Sequence, residues 1–281
     1  MRNVLYVVSY ACSVSSRRKT MILRRKTASR MTCLLVAGMP TLAFPALAGD
    51  LEASAGVAST YLFRGVDVND GRAQVFGDLT YRSDIGVYVS GWGSSAGNGA
   101  NEFDAVLGFS HDIGPVVVNI GVINYIYPGA TDSDDFGSES EAFMGASWNG
   151  FELYYYDNIA SKWNQNAGYF YVAASYTWKQ FAVTLGHAAD DTLQGNSDSA
   201  GPVVIDEAEY SYTHLDATYA FNDNLSFTVS KIVDRNVDIT ALGGDRINVD
   251  GSDIKNLDSR FNAVKDDSLM FLLTYSLPLE F

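Results

Sequence analysis

Cysteine is almost missing from this sequence. Cys12 and Cys33 are the only two, and both lie in the first 48 residues. From residue 49 onward the chain therefore has no disulfide, no thiol nucleophile and no thiolate metal ligand. Histidine is as scarce, with His111, His187 and His214 alone. Cations are short too: 19 Lys and Arg stand against 33 Asp and Glu. Eight of those cations and none of the acids fall in the first 48 residues, so the remainder carries a net charge of −22. Phosphate binding needs clustered Lys and Arg, which excludes nucleic acid as a partner. Beyond residue 48 no run is apolar enough for a membrane helix, and long helical periodicity is absent.

The first 48 residues read as a segment apart. Arg17, Arg18, Lys19, Arg24, Arg25, Lys26 and Arg30 precede an apolar run from Met31 to Phe44, and Ala46-Leu47-Ala48 follows. A basic stretch, an apolar run too short to span a bilayer and a small-x-small site form a secretory signal peptide, cut before Gly49. Met21 opens a leader of more ordinary length. Cys33 lies upstream of the apolar run and not at the cleavage point, which argues against a lipid anchor. The 233 residues from 49 to 281 suit one domain.

What is present is alternation. Ala53, Ala55, Val57, Tyr61 and Phe63 share one face of a first segment. Val75, Leu79 and Tyr81 share one face of a second, with Arg72, Gln74, Asp78, Thr80 and Arg82 on the other. Twelve such segments are expected, at 51–66, 72–82, 86–95, 102–110, 116–127, 139–148, 151–158, 167–178, 181–189, 207–220, 225–233 and 267–281. Their connections alternate between tight and long. Asn149-Gly150 is a two-residue hairpin turn, and Lys179-Gln180 is as short. Stretches 128–138, 159–166, 190–206 and 234–266 are rich in Asp, Asn, Gly and Ser.

Short turns on one rim and long polar loops on the other describe an all-β, antiparallel, up-and-down transmembrane barrel of about 12 strands, with both termini on the short-turn, periplasmic side. A soluble β-sandwich also alternates. Strand lengths near the 9–11 residues of a tilted membrane strand, and aromatics grouped near strand ends, favour the barrel. So does the end of the chain. Leu269, Phe271, Leu273, Tyr275, Leu277, Leu279 and Phe281 occupy every second position, as a strand closing a barrel against its first strand would. The final Phe281 resembles the C-terminal signal read by the barrel-assembly machinery of Gram-negative bacteria.

Several stretches resemble the TorF-like porin family, Gcw_chp, formerly a conserved bacterial domain of unknown function. They are Tyr61-Leu62-Phe63-Arg64-Gly65, Asp70-Gly71 with Ala73, Gly86-Val87-Tyr88-Val89 with Trp92 and Ser94, and Glu102-Phe103-Asp104 with Gly108. Gly121 to Gly129, ending in Tyr127-Pro128-Gly129, continues the match. Glu141-Ala142-Phe143 with Gly145 and the run Tyr154 to Tyr156 complete it. Arg72 stands where the family pattern has a small residue or Pro. The resemblance implies an outer-membrane barrel.

A lipid-facing surface must be apolar, so charge on the strands belongs to the lumen. Arg64, Arg72, Asp78, Arg82, Glu102 and Asp104 are the expected pore-lining residues, able to form a constriction that sets ion preference. Asp132, Asp134, Asp135, Glu139 and Glu141 form an acidic loop cluster. Asp190, Asp191 and Asp198 form a second, and Asp250, Asp253, Asp258, Asp266 and Asp267 a third. Solvated loops explain them; capture of a hard divalent cation is the sharper reading, though no EF-hand spacing occurs. For catalysis His187 and His214 face the 190–206 loop with Ser197 and Ser199, without a local triad motif. Gly91-Trp92-Gly93 and Gly97-Asn98-Gly99 precede no helix and so are not phosphate loops.

The expected function is passive diffusion of small solutes or ions through an outer-membrane porin of a Gram-negative bacterium, with cation preference from the acidic charge. The alternative is a non-conducting barrel acting through its acidic loops in adhesion, envelope structure or divalent-cation binding. No enzyme activity, cofactor or metal is expected. The partners expected are outer-membrane lipid, lipopolysaccharide, the assembly machinery and small solutes.

Overall fold

The computed structural model describes residues 49–95, 101–128, 136–137, 139–161, 169–193, 205–241 and 268–279. The proposed leader 1–48 and Phe281 lie outside them. The strands are β1 (Gly49–Ala58), β2 (Leu62–Phe63), β3 (Val66–Asp67), β4 (Gln74–Ser83), β5 (Val87–Ser95), β6 (Asn101–Ile113) and β7 (Val116–Ile126). They continue as β8 (Glu139–Trp148), β9 (Phe151–Ser161), β10 (Phe170–Trp178), β11 (Phe181–Leu193), β12 (Ile205–Ala220), β13 (Leu225–Ala241) and β14 (Met270–Leu279). Among the described residues there is no helix.

Twelve of these strands close into an antiparallel barrel, each paired with its neighbour in the chain, and β1 closes the ring against β14. The closing seam aligns Ala53 with Leu279 and Ala58 with Thr274. Closure leaves no open sheet edge along the seam. β2 and β3 stand apart as a two-stranded hairpin.

Alternation sorts the two faces. Val75, Leu79, Val89, Phe103, Leu107, Ile120, Val122, Leu153, Val183, Leu185, Phe271, Leu273 and Leu277 are exposed on the outer face. Their intervening neighbours point inward, and Gln74, Tyr88, Asp104, Tyr154, Tyr171, Thr184 and Ser276 are buried there. An exposed apolar belt around a polar interior inverts the layout of a water-soluble domain and fits a barrel in lipid. At the short-turn rim the outer face carries aromatics. Phe151 meets Tyr176 at 4.3 Å, Phe181 meets Tyr219 at 5.0 Å, and Tyr219 meets Phe221 at 5.1 Å. Trp148 and Trp178 are exposed beside them. The tight turn between β8 and β9 has Asn149 and Gly150 at φ 49° and 87°, the pair of positive values that a type I′ hairpin requires.

Inside, five glycines face aromatic rings across the strand register. Gly56 lies opposite Phe76, Gly108 opposite Tyr88, Gly121 opposite Phe143, Gly145 opposite Tyr154 and Gly186 opposite His214. A Cβ on any of them would sit 2.1–2.5 Å from the facing ring. Each ring occupies the space its glycine leaves.

Three boundaries differ most from the sequence reading. The first segment, expected at 51–66, leaves the wall at Ala58, because the chain turns into the lumen there. β11 runs on to Leu193 and β13 to Ala241, into stretches expected to be loop. The β12–β13 ladder continues as far as Ile205 with Ala241, so backbone pairing outweighs the polar composition.

Candidate functional site

Between β1 and β4 the chain does not loop over the rim. Leu62 pairs with Asp67 and Phe63 with Val66, leaving Arg64-Gly65 as the two-residue tip of a hairpin. Arg64 has φ 50° and Gly65 φ 80°. Two successive positive values make a type I′ turn, which suits glycine and strains arginine. The stem is tied by one carboxylate. Asp67 accepts hydrogen bonds from Thr60 Oγ1 at 2.6 Å, the Asn69 amide at 3.0 Å and the Gly71 amide at 2.7 Å. Val68 N–H donates to the Tyr61 carbonyl at 3.0 Å.

The hairpin crosses the barrel. Around the ring, the β1–β4 pair lies opposite the β9–β10 pair, and the tip reaches that wall. Arg64 Nη1 and Nη2 donate to Glu141 Oε1 and Oε2 at 2.8 and 2.6 Å, a bidentate pair, and Nη1 donates to Tyr169 Oη at 3.0 Å. The guanidinium lies 4.5 Å from the Tyr171 ring centre, 4.7 Å from those of Tyr156 and Phe63, and 5.4 Å from that of Tyr169. Tyr125 Oη donates to Glu141 Oε2 at 2.8 Å. Arg64 and Glu141 side chains are each 5% exposed. An ion pair so buried needs this many partners to offset its desolvation.

Below the tip, Gly65 rests on His214, a contact that leaves no room for a Cβ. His214 Nε2 is 2.8 Å from Tyr171 Oη, its Nδ1 is 3.0 Å from Asp216, and Ser230 Oγ donates to Asp216 at 2.6 Å. At the root of the hairpin, Tyr61 packs on Trp92 at 5.7 Å. Tyr127 donates to Glu102 at 3.1 Å. Burial lifts the Tyr61 phenol well above its ordinary range, and Glu102 beside it lifts it further, so Tyr61 stays a neutral donor to that carboxylate.

The half of the lumen toward the short turns is built differently. Cross-strand hydroxyl pairs line it: Thr80 with Ser90 at 2.7 Å, Ser175 with Thr184 at 2.9 Å and Thr218 with Thr228 at 2.8 Å. Ser54 donates to Asp78. Arg82 stacks on Tyr88 at 4.6 Å, and Glu152 is partly exposed on this wall.

Of the residues singled out in the sequence, Asp78, Arg82, Glu102 and Asp104 point inward from β4 and β6. Arg64 does so from the hairpin tip and not from a wall strand. Arg72 precedes β4 and is exposed, its amide donating to the Asn69 carbonyl at 3.0 Å. Glu139 and Glu141 belong to β8, not to an acidic loop, and both are buried. Asp190 is buried near the end of β11, and Asp191 also lies in that strand, so neither is a loop residue. Asp132, Asp134, Asp135, Asp198, Asp250, Asp253, Asp258, Asp266 and Asp267, with Ser197 and Ser199, lie outside the described residues.

The histidines do not converge. His187 is on the outer face of β11, bonded to Thr213 at 3.0 Å, while His214 is inside. His111 is exposed and stacks on Phe109 at 5.9 Å. Sequence reasoning put Glu141 in a loop and His214 beside a loop serine, and gave Tyr156, Tyr171 and Asp216 no part in a lumen site. A signal existed for Glu141: it shares strand parity with Phe143 and Gly145, so it belongs with the inward face.

Among curated proteins no sequence matches the chain. Among solved structures, the outer membrane protein OpdK from Pseudomonas aeruginosa aligns at 10% identity and a TM-score of 0.36, covering 74% of this chain and 58% of that one. OccAB4 from Acinetobacter baumannii aligns at 9% and 0.34, covering 74% and 54%. OprD from Pseudomonas aeruginosa aligns at 14% and 0.36, covering 82% and 66%. The chain thus spans between half and two thirds of the length of these proteins. Residues 44–253 match the sequence model of one family, and on that match the chain belongs to the bacterial proteins of unknown function called Gcw_chp.

Proposed function

We propose that the protein is a porin-like channel of the outer membrane of a Gram-negative bacterium, passing small cations by diffusion past a constriction made by the hairpin at Arg64. One observation carries this reading. The barrel is closed, apolar outside and polar inside, and among the described residues a single inward segment crosses its lumen at one level. Such a segment narrows a barrel without sealing its whole length. The inward charge sets the preference: Asp78, Glu102, Asp104, Glu139, Glu141, Glu152, Asp190 and Asp216 face Arg64 and Arg82. An acidic wall concentrates cations.

In this reading residues 1–48 direct export and are removed. Phe281 is presented to the assembly machinery, and the apolar belt meets lipid and lipopolysaccharide. The porin label of the TorF-like resemblance agrees with it. The test is single-channel current in a planar bilayer under a potassium chloride gradient. Discrete steps with a cation-selective reversal potential are expected. A second reading, a sealed barrel acting through its acidic loops, is favoured by the buried packing of Tyr88, Val106, Ile123, Tyr154, Tyr171 and Ile232 inside the barrel. Folded protein that inserts and stays silent would select it.

A further inference from the structure

The surroundings of Arg64 are a complete recognition site for a cation that happens to be tethered. Aromatic faces stack on the guanidinium, and one carboxylate meets it through two parallel hydrogen bonds. Aromatic faces select cations, and the fork of two donors selects the planar guanidinium over a rounded ammonium. All but one of these walls belong to the barrel or its rim, Phe63 being the hairpin's own.

The wall residues also contact one another. Tyr125 fixes Glu141. Tyr156 packs on Phe143 at 5.8 Å and on Tyr171 at 6.0 Å. Tyr171 is held by His214, which stacks on it at 5.8 Å. The arginine, in contrast, is held in a strained left-handed conformation on a short hairpin. As packing alone, a buried ion pair contributes little or nothing over apolar side chains of the same volume. Below Tyr171 on β10, Ala173, Ser175 and Thr177 lead down the hydroxyl-lined wall toward the short turns.

Building on the channel reading, we propose that Glu141, Tyr156, Tyr169 and Tyr171 form a binding site for solutes carrying a guanidinium group, and that Arg64 occupies it as an internal stand-in. A solute of that class competes with Arg64, and its binding releases the hairpin tip from the far wall. The site therefore recognises what the channel admits.

The test is chemical replacement in the full-length barrel. Arg64→Ala vacates the site. Methylguanidinium chloride at low millimolar concentration should then raise the unfolding temperature of the variant saturably and leave the unsubstituted protein unmoved. Adding Glu141→Gln should weaken that response by about tenfold or more. Should Arg64→Ala fold only with methylguanidinium present, that is the same rescue. Should it fold neither with methylguanidinium nor without it, Arg64→Gln is titrated in its place. No saturable response in whichever variant folds would overturn the proposal. So would an equal response to tetramethylammonium, since the carboxylate fork would then select nothing. Binding without current in bilayers would leave the site standing and remove only the channel reading.

Discussion

The two halves of the lumen are built from different chemistry on the same strands. β10 shows it within one strand. Its inward residues run from Tyr171, fully buried under the hairpin tip, to Ala173, Ser175 and Thr177 toward the short turns. β12 repeats the pattern from Tyr212 and His214 to Asp216 and Thr218. Large rings and a buried ion pair fill the barrel where the hairpin crosses it. Toward the short turns, small hydroxyls bonded in pairs keep β10 to β13 thin-walled, while Tyr88 and Tyr154 still project from β5 and β9. The lesson is that diameter follows from side-chain volume at each level, with strand number constant. Twelve strands do not by themselves decide between a pore and a plug.

Removing the partner of the buried arginine tests the filled half most severely. Glu141→Ala leaves the Arg64 guanidinium uncompensated, and should cost about 3–5 kcal/mol of unfolding free energy in detergent or lipid. Unchanged stability would mean that the hairpin does not seat there. A smaller loss is expected from Gly108→Ala. Its new Cβ meets the Tyr88 ring at 2.2 Å and pushes it off the hydrogen bond to Asn119 at 3.0 Å. Overpacking of that kind costs about 1–3 kcal/mol, read from the same unfolding curve.

Along the hydroxyl pairs the effects shrink. Thr218→Val removes its hydrogen bond to Thr228 and should cost about 1 kcal/mol. Asp78→Asn should move stability little but shift the bilayer reversal potential toward zero, by removing an inward charge. A potential that stays put would take Asp78 out of the conduction path. Smallest of all, Arg72→Ala should leave stability within about 0.5 kcal/mol and selectivity unchanged, because Arg72 is exposed ahead of β4. A change in selectivity would place Arg72 in the path after all.

The wall was legible from residue order because lipid and lumen impose a period of two on every strand. β4, β5 and β7 need no more than that rule. The hairpin was not legible by the same rule. Tyr61, Phe63 and Val57 keep the alternation of β1, so the segment reads as more wall. What distinguishes it is local. Arg64-Gly65 and Asp70-Gly71 each put a positive-φ pair within a few residues, and turns that close together leave no room for a spanning strand. Glu141 was lost for the opposite reason: its acidic neighbours upstream suggested a loop, although its parity with Phe143 placed it on the wall. The meeting of Arg64 with Glu141 spans 77 positions of chain, and no local pattern encodes a contact across a barrel.

The glycines opposite aromatic rings carry a consequence for descent. Gly56 with Phe76, Gly108 with Tyr88, Gly121 with Phe143 and Gly145 with Tyr154 are register partners whose volumes sum to one filled place. Neither member is free to drift alone: a larger residue at the glycine collides, and a smaller one at the ring opens a hole. Related chains should therefore exchange these residues two at a time, glycine for ring and ring for glycine. An alignment of the family would show such pairs as correlated columns on adjacent strands. Those columns would report the barrel's register without a structure.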